Sequence, residues 1–353
     1  MKPETRLWVS VGLGSHREAH HTLRDAVGDL SLCVALTVAD GVVMGTDSIT
    51  IVREGSNANS YSSGVKLFEL PRLPIAVMTF ELAGFGRRSI ASLIDEWSTQ
   101  TQYDESYTVE KVMTDLGTWI FSKHRDYLIG LEADVERQQR EQLQNRAGSP
   151  NGIRPFDSAE WALGLIVAGY EPGSFVPWVW QWLGPTRTGN PPGMSLINPV
   201  LGPNDEHDGS ASGIEFWGIG RALSRLTQGY DAALLDAPVE TKVIQPSKAH
   251  LLDDLIERFR WKPLTEGMPL QDGVELVRYL LAVGAGYEQF AHGSASVGGE
   301  HDIAVVTRTG IIWPALKDLT RRIYELPRAS APVRRPEPKT KRIPTAKPIV
   351  RGS

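Results

Sequence analysis

The spacing of apolar positions along this chain changes period several times. Residues 31–48, SLCVALTVADGVVMGTDS, hold two β-branched runs around Ala39-Asp40-Gly41, which predicts a tight antiparallel hairpin. GVKLFEL (64–70) and IAVMTF (75–80) read as a second strand pair with Pro71 in the connection. The period then lengthens. SIASLIDEWSTQ (89–100) and the stretch from Thr108 to Leu143 repeat apolar residues at helical spacing. The second of these drifts into a charged, Gln-rich segment and ends in the loop NRAGSPNGIRPFDS. Strands return in WALGLIVAGYE (161–171) and FVPWVWQWLG (175–184), joined around Pro172-Gly173. A Gly/Pro/Asn loop leads to helical segments at 220–235 and 269–290, and DIAVVTRTGIIW (302–313) reads as a last hairpin around Thr309-Gly310. The order is strands, two helices, strands, two helices, strands. Hairpins dominate it, so the expected class is α+β with two mainly antiparallel sheets and helices outside, a four-layer α-β-β-α sandwich.

The two ends fall outside this pattern. Residues 1–30 form an N-terminal extension with one short helical stretch, and the body runs over 31–326. Residues 327–353 are rich in Pro, Lys and Arg with almost no aliphatic pattern, so a disordered basic tail is expected, with an acidic partner as its possible ligand. Composition narrows the function. With 41% hydrophobic and 22% charged residues the chain has ordinary globular make-up, and a net charge of -5 gives no global case for nucleic acid. No apolar run approaches a membrane span, and the N-terminus lacks a signal-peptide core, so a cytoplasmic protein without membrane contact is expected. The single cysteine, Cys33, excludes an internal disulfide framework.

Common site motifs are absent: there is no GxxxxGK[ST], no GxSxG and no CxxC. Gly218-Ile219-Gly220 is a GxG without a third glycine and reads as having no strand before it. His16 and His20 lie four apart, but in the order His-x-Glu-x-His, which reads as a solvated helix face. His292, Glu300, His301 and Asp302 cluster in sequence, but polar residues are common where a loop enters a strand, and no metal or other cofactor is expected there. The polar ends of the first hairpin are the stronger signal: Ser31 and Cys33 share one face of a strand, and Asp47 ends the next. A hydroxyl or thiol that attacks an amide needs a nearby base and a positive group that favours its deprotonated form. A free N-terminal amine is one such base.

SLCVALTVADGVVMGTDS, GVKLFEL and IAVMTFELAGFG, in that order, resemble the start of a proteasome β-type subunit, in the N-terminal nucleophile (Ntn) hydrolase superfamily. WALGLIVAGYEPGSFVPWVWQWLG resembles the family's central strand pair, FWGIGRALSRLTQGYD its small-residue turn and following helix, and SVGGEHDIAVVTRTG its C-terminal strand. The resemblance covers most of residues 31–315. It implies an Ntn sandwich, no cofactor, and hydrolysis of peptide or amide bonds by a nucleophile freed through self-processing. In that threonine-type endopeptidase family the acid lies sixteen positions after the nucleophile, and sixteen before Asp47 is Ser31. The family's strand lysine corresponds to Lys66. Cys33 is the rival nucleophile. The oxyanion donor corresponds to Glu81 or Gly84. Leu30 stands where self-processing members carry Gly, and the family's auxiliary residues correspond to Ile219 or Gly220 and to about Ser294 and Val297. A ring or stacked homo-oligomer is implied as well. The alternative is a non-catalytic assembly or binding subunit of the same fold.

Overall fold

The computed structural model describes residues 31–54, 57–85, 88–145, 162–184, 196–201, 213–218, 220–229, 261, 263–265, 267–290 and 296–317. The chain divides into Met1–Lys317 and Asp318–Ser353, and every described residue lies in the first unit. Expected boundaries after residues 30 and 326, His16, His20 and His292 lie outside the described residues.

Fourteen strands and four helices are described. The first hairpin is β1 (Leu32–Val38) and β2 (Gly41–Thr46), joined by the two-residue turn Ala39-Asp40. A second hairpin, β3 (Thr50–Glu54) and β4 (Asn57–Tyr61), follows. Then come β5 (Leu67–Glu69), β6 (Ile75–Glu81) and the two-residue strands β7 (Gly84–Phe85) and β8 (Arg88–Ser89). Helices α1 (Ile90–Gln100) and α2 (Val109–Asn145) precede β9 (Leu163–Gly169), β10 (Trp178–Gly184), β11 (Leu196–Leu201) and β12 (Gly213–Gly218). Helices α3 (Arg221–Gln228) and α4 (Leu270–Gln289) precede the closing hairpin β13 (Asp302–Thr307) and β14 (Gly310–Ala315).

Two five-stranded sheets result, ordered β12-β1-β2-β13-β14 and β11-β10-β9-β6-β5, and every pairing in them is antiparallel. The protein is therefore an α+β fold with antiparallel sheets. Strand composition follows from burial on both faces. Along β1, Leu32, Val34, Leu36 and Val38 enter a core with Val274, Val277, Leu280 and Leu281 of α4. The alternate residues Cys33 and Ala35 enter a core with Ala76, Met78 and Phe80 of β6 and Ile166 and Ala168 of β9. The strand reads as continuously apolar because neither face meets water. The second sheet repeats this: Ile75 and Val77 of β6 pack with Leu93 and Trp97 of α1 and with Val112, Met113, Leu116 and Ile120 of α2. Beyond Leu128 the α2 sequence turns charged, with exposed pairs such as Arg137–Asp134 and Arg140–Glu136.

Four local expectations need correction. The loop expected before residue 220 contains β11 and β12. β12 is a sheet member because β1 supplies its partner, Leu32 opposite Gly218 through Thr37 opposite Gly213, whereas its own six residues include Glu215 and two glycines. β11 carries Pro199 and sits at the edge of its sheet, where a missing N–H is tolerated. Gly218-Ile219-Gly220 does follow a strand, β12. And α3 stops at Gln228, because Gly229 takes the left-handed conformation that ends helices; residues 230–235 lie outside the described residues.

Candidate functional site

Ser31 precedes β1, Asp47 follows β2, and the β1–β2 register sets Leu32 opposite Asp47. The backbone N–H of Asp47 donates to Leu32 O at 3.1 Å. The return bond does not go to a carbonyl. Leu32 N–H donates instead to the Asp47 carboxylate, at 2.9 Å from Oδ1, which turns the acid back toward Ser31. Ile49 N–H and Gly298 N–H donate to Oδ2 at 3.0 and 3.3 Å. Three backbone donors thus hold the carboxylate before any side chain does.

Lys66 stands one residue before β5, rather than on the strand as expected. It is still tied to the sheet, because Thr79 N–H donates to its carbonyl at 2.8 Å. Its Nζ donates to Asp47 Oδ1 at 2.7 Å and to Ser31 Oγ at 3.1 Å. Lys66 therefore joins Ser31 to Asp47, and all three are buried, Ser31 at 1% exposure. The ammonium sits between a fixed carboxylate and a hydroxyl, an arrangement that lowers the energy of an alkoxide at Ser31.

Close packing fixes Ser31 from the other side. Gly218 has φ +79°, and a Cβ there would lie 1.8 Å from Ser31 O. Only glycine fits that approach. This is the role of the first glycine of the GxG.

Cys33 shares the β1 face of Ser31 but lies deeper, fully buried between the sheets. Its thiol lies 3.5 Å from Thr46 Oγ1 and from Thr79 O, and burial pushes it up to about 12, against a smaller lowering by Lys66. At neutral pH it is a neutral core thiol.

Of the two residues expected to supply an oxyanion donor, Glu81 has φ +68°, in the region that favours glycine, at the end of β6. Its neighbours are tied to both flanking strands: Leu82 N–H donates to Ala162 O on the β9 side and Thr79 N–H to Lys66 O on the β5 side. Gly84 lies in β7 opposite Ser89. Of the late residues, Val297 is a buried core residue.

Glu300, His301 and Asp302 do not converge as ligands, and no group of three or more metal-ligating side chains occurs among the described residues. Asp302 is ion-paired with buried Lys317, whose Nζ also donates to Ser48 Oγ at 2.9 Å. His301 is partly buried, with Nε2 lacking a hydrogen-bond partner; burial lowers its pKa, opposed by the nearby Asp47 carboxylate. Neither Lys317 nor the Gly298 donor was identified from the sequence. The available signal was Asp302 itself: a carboxylate beginning an apolar strand needs a cation, and the sequence does not say which. Among the described residues no helix is long and apolar enough to cross a membrane. No protein-family model and no curated protein matches this chain.

Proposed function

We propose that this protein is an Ntn hydrolase of proteasome β-type character, a four-layer α-β-β-α sandwich that cleaves peptide or amide bonds with Ser31 as nucleophile. Two observations support the layering: one core shared by both sheets, and a separate helix-covered core on the outer face of each. One observation carries the chemistry: Lys66 Nζ bridges Ser31 Oγ and Asp47 Oδ1 at 3.1 and 2.7 Å.

In the full chain the Ser31 nitrogen is an amide joined to Leu30, which has no basicity, and Ser31 is covered. Self-cleavage of the Leu30–Ser31 bond supplies the missing amine. The amine then takes the Ser31 Oγ proton as Oγ attacks the substrate carbonyl carbon. The Lys66–Asp47 pair favours the developing alkoxide, and the Glu81 N–H is the donor for the oxyanion. Collapse expels the leaving amine, which receives the proton, and leaves an ester on Ser31. Water, deprotonated by the same amine, attacks that ester, releases the acid and restores Oγ–H.

The rival reading is a non-catalytic assembly subunit. It is favoured by Leu30 before the cleavage point and by an aliphatic residue at Val297. Assembly itself is proposed under both readings: at the end of α4, Phe290 is 86% exposed, and Tyr279 is exposed along it. Turnover of fluorogenic peptide amides by the wild type and Ser31→Ala separates the two. Hydrolysis that disappears in the variant supports the enzyme, and none in either supports the subunit. Light scattering that reports a monomer at micromolar concentration contradicts assembly.

A further inference from the structure

Ser48, the residue after Asp47, is the centre of a second buried network. Its N–H donates to Gly298 O at 3.0 Å, and its carbonyl accepts from Gly64 N–H at 2.8 Å. Its Oγ donates to Glu300 O and accepts from Lys317 Nζ at 2.9 Å. Lys317 in turn pairs through Nζ with Asp302, and its own N–H donates to Asp302 Oδ1 at 3.2 Å. Ser48 and Asp302 are fully buried and Lys317 is 8% exposed.

We propose that Lys317 is a positioning residue for the Ser31 site, acting through Ser48 on Asp47. This rests on the reading of Ser31 as nucleophile. Every polar group of Ser48 is committed, so its hydroxyl has no proton to exchange and is no second nucleophile. What the network does is hold two pieces of backbone. One is the Asp47-Ser48-Ile49 run, whose Ile49 N–H donates to Asp47 Oδ2. The other is the Gly298–Glu300 turn, whose Gly298 N–H donates to the same oxygen. Ser48 bonds both ends of that turn, at Gly298 O and at Glu300 O, and Lys317 fixes the hydroxyl that makes the second bond. Two of the three backbone donors to Asp47 therefore depend on one ammonium on the far side of Ser48. Loss of that ammonium frees the Asp47 carboxylate to rotate, and Lys66 Nζ follows it away from Ser31 Oγ.

A residue that merely stabilises the fold lacks this local signature. The test is amide hydrogen exchange on the purified wild-type protein and on Lys317→Met, Ser48→Ala and the double variant. Exchange at Ile49 and Gly298 is expected to rise about tenfold or more relative to Val34 and Val305 in each single variant, and no further in the double. A uniform rise across all four amides, unchanged exchange, or additive effects in the double variant would overturn the proposal. Ser48→Ala leaves no charge unpaired, so it keeps the test alone if Lys317→Met fails to fold. Turnover is the second readout, with kcat expected to fall and KM to stay within about twofold in both single variants. If the wild type hydrolyses nothing, the nucleophile reading fails, while the exchange result still decides whether Lys317 fixes Asp47.

Discussion

Asp47 and Ser48 are neighbours in the chain, and each anchors a lysine. Asp47 holds Lys66 against Ser31; Ser48 takes Lys317, which is held by Asp302. Both groups consist of one serine, one lysine and one aspartate, and both are buried. They differ in how completely the serine is used. Ser48 Oγ both donates and accepts, while Lys66 is the one hydrogen-bond partner of Ser31 Oγ among the described residues. A saturated hydroxyl is a structural pin. A hydroxyl beside an ammonium with its own proton uncommitted is equipped to react, once a base is present. Residue identity alone does not separate the two groups; hydrogen-bond satisfaction does.

The largest expected effect exploits that difference. Ser31→Ala should abolish cleavage after Leu30 and lower peptide-amide turnover by about 10³-fold or more, whereas Ser48→Ala should still be processed and lose about tenfold. Intact mass and turnover measured together check both, and equal losses would erase the contrast. Replacing the lysines sharpens it further. Lys66→Met and Lys317→Met each strand a buried carboxylate, Asp47 or Asp302, and each should lower unfolding free energy by about 3–5 kcal/mol in denaturant titrations. Lys66→Met should nevertheless fall to the Ser31→Ala level of turnover, and Lys317→Met should not.

A third expectation concerns protons remote from both serines. His124 of α2 is fully buried, stacks on Phe85 at a 4.8 Å centroid distance, and has no partner for either ring nitrogen. Burial lowers its pKa to about 4. Between about pH 6.5 and 4 the unfolded chain binds a proton there that the folded chain does not. Stability should therefore fall as pH falls through that window, by about 3 kcal/mol at most from this group. His301, also lowered by burial, adds a change of the same sign. Denaturant midpoints against pH should lose most of this slope in His124→Phe; an unchanged slope would assign the dependence elsewhere. The smallest expected effect is at Cys33. Cys33→Ala should leave turnover within about twofold and cost roughly 1 kcal/mol of packing, and the native thiol should resist iodoacetamide.

Much of this was legible in the sequence, for identifiable reasons. β1, β2, β6, β9 and β13 are apolar runs buried on both faces, and α1, α2 and α4 keep helical spacing over ten or more residues, so each announces itself locally. The Ser31–Asp47 spacing is carried by one hairpin, and Lys66 lies one residue before β5, in the apolar run GVKLFEL. β4, β11 and β12 were not legible, because short strands with Asn, Ser, Pro or Gly exist only where a neighbour pairs with them, and β3 was missed with its partner β4. Lys317 is separated from Ser48 by most of the chain, and only the pairing of β13 with β2 brings its partner Asp302 opposite Thr46, beside Asp47. No periodicity encodes a contact of that range.

The intact mass of the purified mature chain, with its N-terminal residue identified, tests the central claim most directly. The account predicts a chain that begins at Ser31, and a Ser31→Ala chain that keeps residues 1–30. A wild-type chain that hydrolyses peptide amides while residues 1–30 remain attached would contradict it.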